Sequence, residues 1–248
     1  MKVLFVFRDG SEADFLFGKI ARRLNSKFEL ILIKETGVIA KRKKLKRILN
    51  SKPVYTAFVK MIDLISIQIF NGIFGLKSNS KSKTNQVALF DDINLESCIS
   101  KINSLCPDLV IIFGTGIVSA DSIKKIKSPI FNIHTGVLPY YRNVYSEFWA
   151  LLNKDYKNIG STLIKIDPGI DTGNIYKVGR VNLEKDDTYS KVKEKNLELA
   201  SSLVADLLKQ KTTKKKIKLV SQDSLSSKSY PAPGLLDIVK YLWFSARK

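Results

Sequence analysis

Cysteine and histidine are scarce in this 248-residue chain, which has two of the first and one of the second. Cys98 and Cys106 form no C-x-x-C pair, which excludes a disulfide framework and a cysteine-based metal site. Both read as plain core thiols, Cys98 on a helix and Cys106 just before a strand. Acidic residues are also few: 23 Asp and Glu stand against 42 Lys and Arg, for a net charge of +19. That balance favours an anionic partner, whether a nucleic acid, an acidic lipid surface or a phosphorylated substrate. Lysine far outnumbers arginine, so a Lys-rich composition filling exposed sites accounts for the charge equally well. No G-x-G-x-x-G or Walker pattern is present, which excludes the specific dinucleotide reading. There is no internal repeat. The opening MKVLFVFRDGSEAD reads as a strand and a polar loop, without the n-region, h-region and cleavage site of a signal peptide. With so few cysteines, a reducing, cytoplasmic setting is expected.

What is present suits a globular protein, with 44% apolar and 10% aromatic residues. The length is enough for one α/β domain with additions. Strand-type apolar runs fall at 2–8, 28–34, 86–90, 107–116 and 128–136. Helix-type segments fall at 12–25 and 95–105, and a long helix is expected over 187–210. Two further strands, 160–166 and 174–183, flank a DPGIDTG turn. Strands alternating with helices predict a Rossmann-like, doubly wound, mostly parallel sheet. In such sheets the site lies at the carboxyl ends of the strands, where Gly114-Thr115-Gly116 and Asn132 to Gly136 both fall.

Two basic additions interrupt this pattern. KRKKLKR (41–47) precedes an apolar stretch from Val54 to Leu76, long enough to suggest a membrane span. Lys60, Asp63, Gln68 and Asn71 lie inside it, and charges are costly in lipid, so a helix packed on the protein or lying on a membrane surface fits better. Residues 77–86 read as a linker. KTTKKKIK (211–218) and a short aromatic helix over 234–248 repeat the theme, suiting either a lipid headgroup region or docking on the domain. The expected division is a catalytic domain over 1–210, with 41–85 as a basic helical insertion, and a C-terminal extension over 211–248.

The stretch 131–175 concentrates the chemistry. On a strand, positions i and i+2 share a face, so Asn132 and His134 can reach one reacting atom. The Asn132 amide is either a turn cap or an oxyanion donor that adds no charge. Asp171, in a tight turn, either caps it or faces His134 and supports the imidazolium. Arg142 is either a surface residue or a partner for a phosphate or carboxylate. Pro139, Tyr140 and Tyr141 shape the loop after the histidine. Arg8-Asp9-Gly10-Ser11 after the first strand reads as an anion cradle at a helix N-terminus.

Together NIHTGVLPYYRN and GSTLIKIDPGIDTGNI, separated by a helix bearing FWALLN, resemble the folate-dependent formyltransferase family. The resemblance covers residues 1–205 and is strongest over 107–178. It implies the formyltransferase fold, with Asn132, His134 and Asp171 as the catalytic trio and no metal. It also implies 10-formyltetrahydrofolate as donor, held by Phe113, Gly114, Thr115, Gly116, Ile117 and Val118 and by Asp167 and Gly169. The acceptor is expected against Arg8, Gly10, Ser11, Tyr141 and Arg142. Asn143 departs from the Gly common in the family, although Asn tolerates a positive φ. The wording is most similar to amino-sugar N-formyltransferases, which implies a nucleotide- or lipid-linked amino sugar from surface-polysaccharide synthesis. The basic and amphipathic additions suit a lipid-linked or membrane-proximal acceptor, with peripheral contact at the inner face of an anionic membrane as an expectation. The alternatives are a methionyl-tRNA or glycinamide ribonucleotide formyltransferase, and a non-catalytic basic α/β module binding membrane or nucleic acid. Forty residues beyond the catalytic domain are too few for the β-barrel that methionyl-tRNA formyltransferases add, which makes tRNA the weaker acceptor.

Overall fold

The computed structural model describes residues 1–51, 54–76, 86–213, 216–222 and 227–245. In chain order the strands are β1 (Lys2–Arg8), β2 (Glu29–Glu35), β3 (Gln86–Phe90), β4 (Leu109–Phe113), β5 (Ile130–His134), β6 (Arg142–Asn143), β7 (Gly160–Lys165), β8 (Ile175–Arg180) and β9 (Ser229–Tyr230). The helices are α1 (Ser11–Arg23), α2 (Val38–Leu49), α3 (Val54–Phe74), α4 (Glu96–Ser104), α5 (Ala120–Lys125), α6 (Ser146–Leu152), α7 (Tyr189–Thr212) and α8 (Leu235–Ser245). The main sheet runs β3-β2-β1-β4-β5-β7-β8. Its first five strands are parallel, and β7 and β8 join antiparallel. The mostly parallel α/β expectation is met.

The sequence of β1 explains why the sheet is central. Val3, Phe5 and Phe7 face one side and pack on α1 and α7 through Leu16, Ile20, Leu203 and Leu207. Leu4 and Val6 face the other and pack on α4 through Ile99 and Ile102. A strand covered on both faces needs a continuous apolar run rather than alternation. Each such side chain contributes about 1.5–3 kcal/mol on burial. Strand order reverses between β1 and β4, the switch point where doubly wound sheets open a crevice.

The additions pack on this sheet domain. Phe70 of α3 meets Phe148 of α6, Tyr189 of α7 and Tyr241 of α8 at ring separations of 5.2–5.9 Å. The chain after α7 also returns to the domain. Val220 pairs with Ile175, and β9 adds to β6. The linker expected over 77–86 falls, except for Gln86, outside the described residues. One expectation is corrected: Cys98 is buried, but Cys106 is exposed. Cys106 closes α4 at φ +46°, with its thiol directed at the Asn103 carbonyl, 3.3 Å away, rather than into the core.

Candidate active site

A cleft of about 280 Å³ opens at the carboxyl ends of β4 and β5. It is walled by residues 113–118, the end of β5, Asn143 to Tyr145, and the turn carrying Asp167 to Asp171. Every residue expected to hold the donor lines it: Phe113, Gly114, Thr115, Gly116, Ile117, Val118, Asp167 and Gly169.

The 113–118 loop is fixed at both ends. Gly114 turns at φ +64°, and its carbonyl accepts from Arg8 Nε at 3.1 Å. The Gly116 N–H donates to Glu35 Oε2 at 3.1 Å. Asn94 accepts from the Ser119 N–H and donates to the Ile117 carbonyl, at 2.8 and 2.9 Å. Burial raises the pKa of Glu35, and the nearby Arg8 opposes that rise. On the opposite wall, Asp167 Oδ1 accepts from the Gly169 N–H and from Thr172 Oγ1, closing a local turn.

Asn132, His134 and Asp171 come together at the base of the cleft. Asn132 Nδ2 donates to Asp171 Oδ1 at 3.2 Å. His134 Nδ1 lies 3.5 Å from Asp171 Oδ2, which also accepts from the Asn143 N–H at 2.9 Å. His134 Nε2 lies 2.7 Å from the Tyr141 carbonyl. A carbonyl only accepts, so that partner assigns the proton to Nε2 and leaves Nδ1 facing Asp171. A second proton on the ring would sit on Nδ1, against a carboxylate. Asn143 adopts φ +77°, so the left-handed position expected of it is present.

The loop after the histidine admits little change. A Cβ on Gly136 would stand 2.5 Å from both His134 Nε2 and Ser146 Oγ. Thr162, buried on β7, donates to the Gly136 carbonyl at 2.6 Å and accepts from the Leu138 N–H at 3.1 Å.

The residues expected to meet the acceptor are placed otherwise. Arg8 is held by Glu35 and the Gly114 carbonyl, and Ser11 Oγ donates to the Leu76 carbonyl. Glu12 and Asp14 lie in the first turn of α1 after Gly10 and pair with Lys193 and Lys34, which makes that end less attractive to an anion. Tyr141 is buried, stacks on Tyr230 at 5.1 Å and donates to Asp155. Arg142 donates to Gln222 Oε1 at 3.0 Å. None of these five lines the cleft, whereas Glu12 and Tyr145 do.

Two further groups lie behind the wall. Gln222 Nε2 donates to the carbonyls of Asp171 and Gly173, at 2.8 and 2.7 Å. It thereby ties the turn of Asp171 to Arg142 from outside. Beneath β5, Asn196 Nδ2 donates to Glu147 Oε1 at 2.9 Å, and Lys193 Nζ donates to Glu12 Oε1 at 2.6 Å. Burial raises the pKa of Glu147, and Lys193 opposes the rise. A raised acid holds its proton more tightly when folded, so stability falls as pH climbs from the ordinary value of 4.5 toward the raised one. Urea midpoints measured from about pH 4 to 8 are expected to show this slope, and Glu147→Gln to reduce it. An unchanged slope would assign it to other groups.

The sequence comparisons agree with this geometry. A family model for formyl transferases matches residues 80–208, more than half the chain. The methionyl-tRNA formyltransferase of Clostridioides difficile is 30% identical over 112 residues, covering 45% of this chain and 36% of its own. The bifunctional polymyxin resistance protein ArnA of Wigglesworthia glossinidia brevipalpis is 33% identical over 172 residues, covering 66% of this chain and 26% of its own. The chain thus spans about a third or less of these curated relatives. The crystal structure of an N-formyltransferase from Helicobacter canadensis, in complex with folinic acid and dTDP-3-aminofucose, superposes with a TM-score of 0.56. It is 20% identical, and the match covers 93% of this chain and 71% of that one. With the family model spanning the 113–118 loop, the loop after His134 and the DPGIDTG turn, the chain belongs to the formyl transferase family.

Proposed function

We propose that this protein moves a formyl group from 10-formyltetrahydrofolate to the amine of a nucleotide- or lipid-linked amino sugar. The observation that carries the reaction type is the convergence of Asn132, His134 and Asp171 on one cleft. The donor fits what lines that cleft. Backbone groups of 113–118 offer polar edges, and Val118, Ile166 and Ile170 give apolar faces for a flat heteroaromatic ring. Support for the amino sugar comes from the Helicobacter structure, which is a complex with folinic acid and dTDP-3-aminofucose. Glu12 and Tyr145, which line the cleft, are further candidate acceptor contacts beside Arg8, Ser11 and Arg142.

In this scheme the acceptor amine forms a C–N bond to the formyl carbon, and the bond from that carbon to the donor nitrogen then breaks. The Asn132 Nδ2 hydrogen not given to Asp171 donates to the oxygen as it gains charge. His134, when protonated, adds its Nδ1–H, which is only 3.5 Å from Asp171 and so loosely held. Asp171 orients both groups and passes the amine proton, through water, to the leaving nitrogen. Residues 1–210 supply these groups, and Gln222 from the following segment positions Asp171.

The test is tetrahydrofolate release with a panel of UDP- and dTDP-linked amino sugars. Acceptor-dependent release that His134→Ala abolishes is expected. Failure to bind folate would overturn the reading. Gln222→Glu keeps the size and the bond from Arg142, but cannot donate to the two carbonyls. It is expected to lower kcat about tenfold with the KM for the donor little changed. Equal loss in kcat and in folding stability would make Gln222 structural only.

A further inference from the structure

The helix α3 is amphipathic in the reverse sense. Two of its polar side chains point into the protein, while Lys60 and Gln68 stay exposed: Asp63 Oδ1 accepts from the Leu235 N–H at 2.9 Å, and Asn71 Nδ2 donates to Tyr145 Oη at 2.8 Å. Ile67 and Phe70 complete that inner face. Outward stand Tyr55, Phe58, Ile65, Ile69 and Ile73, each between 49% and 72% exposed. At 100° per residue they occupy one sector of about 80°. Among the described residues Tyr55–Phe74 is long and apolar enough to cross a membrane, but its bonds to α8 and Tyr145 hold it along the domain surface.

Its neighbours extend the pattern. Leu236, Val239 and Trp243 of α8 are more than half exposed. The helix α2, packed against α3, carries Lys41, Arg42, Lys43, Lys44, Lys46 and Arg47, with no acidic residue. All six are exposed, and none forms an ion pair among the described residues. A water-soluble monomer rarely leaves this much apolar surface uncovered.

We propose that α2, α3 and α8 form a docking face for an anionic lipid bilayer. Apolar and aromatic side chains enter the interfacial layer, and the cations of α2 meet lipid phosphates. Charge decides the occupant. A two-fold contact between copies across α3 would bring two α2 helices, each with six cations, toward each other, whereas an anionic surface attracts them. The face also adjoins the cleft. Asn71 holds Tyr145 on the cleft wall, and Leu76, just past α3, holds Ser11 beside Glu12. Those contacts come from the inner side of α3, so docking by its outer side sets the bilayer about one helix diameter, ~10 Å, from the cleft wall, near enough for a lipid-linked amino sugar. That last step rests on the proposed reaction; the docking face does not.

The experiment is flotation of the full chain with phosphatidylcholine vesicles, with and without about 30% phosphatidylglycerol. Binding is expected only to the anionic vesicles and should weaken with salt. The combined variant Lys43→Glu, Lys44→Glu, Arg47→Glu should lower partitioning on the order of 100-fold. Phe58→Ser, Ile65→Ser, Ile69→Ser should do the same, with far-UV circular dichroism unchanged in both. Absence of binding, or binding indifferent to lipid charge, would overturn the proposal. So would a dimer in sedimentation that the Phe58/Ile65/Ile69 variant dissociates, since a second copy would then cover the face. Vesicle binding without tetrahydrofolate release would remove the proposed reaction and leave the docking face; release without vesicle binding would do the reverse.

Discussion

The variant His134→Ala is expected to lower kcat/KM for tetrahydrofolate release on the order of 10³-fold, while donor binding changes little. Two observations set that magnitude. His134 is the only imidazole in the chain, so no second histidine can take its place. Its ring is also fixed from both sides, with Nε2 on the Tyr141 carbonyl and Nδ1 toward Asp171. Removing it costs a proton-handling group and an oxyanion donor together. The donor slot is walled mainly by 113–118 and 166–170, so its affinity should survive. The check is single-turnover release alongside folate binding by fluorescence quenching. A loss below tenfold would take His134 out of the chemistry. Asp171→Asn should fall between the variant and the wild type, because it keeps the bond to the Asn143 N–H but not the charge facing Nδ1.

Lys193→Met should destabilise the fold by about 3–5 kcal/mol, the usual consequence of removing one partner from a buried ionic group. Lys193 is 8% exposed at its side chain, and its ammonium lies between elements that each bring an acid: Glu12 from α1 and Glu147 from α6. Burial opposes its charge, but Tyr189, Glu12 and Glu147 outweigh it and hold the lysine protonated. Its Nζ also stands 5.4 Å from the centre of the Tyr189 ring. Methionine fills much the same volume, so the loss reports the charge rather than a cavity. Denaturant unfolding at neutral pH measures it. Glu147→Gln in the same chain should recover part of the loss, because it removes a carboxylate left without its cation. A loss under about 1 kcal/mol would mean that water already reaches this group.

The sheet was legible because its strands are short apolar runs that end in glycine or a polar turn. LVIIF and IFNIH advertise both burial and the edge where chemistry sits. The trio was legible for a related reason: Asn132 and His134 share a strand face, and the DPGIDTG turn supplies an acid. The partners of exposed-looking cations were not legible. Arg8 precedes a polar loop and reads as free to meet a ligand, yet Glu35 on the neighbouring strand takes it. Register between β1 and β2 decides that contact, pairing Arg8 with Glu35, and no local pattern encodes it. Gln222 was hidden for the same reason, since 51 residues separate it from Asp171. Nothing local marks Glu12, an acid in the first turn of α1, because its place on the cleft wall depends on how α1 meets the sheet.

The return of the chain after α7 sets an order of assembly. The buried residues shared by β1, β4 and β5 with α1 and α7 all precede the end of α7, and Ile217 and Leu219 pack against them afterwards. The turn of Asp171 and the loop at Arg142 still lack Gln222 and β9 at that moment. At about 5–20 residues per second, Tyr230 leaves the ribosome seconds after Asp171. Until then the turn of Asp171 lacks the two carbonyl bonds that Gln222 supplies. A product shortened before Gln222 is therefore expected to keep the sheet signal in circular dichroism and to release tetrahydrofolate at least about tenfold more slowly.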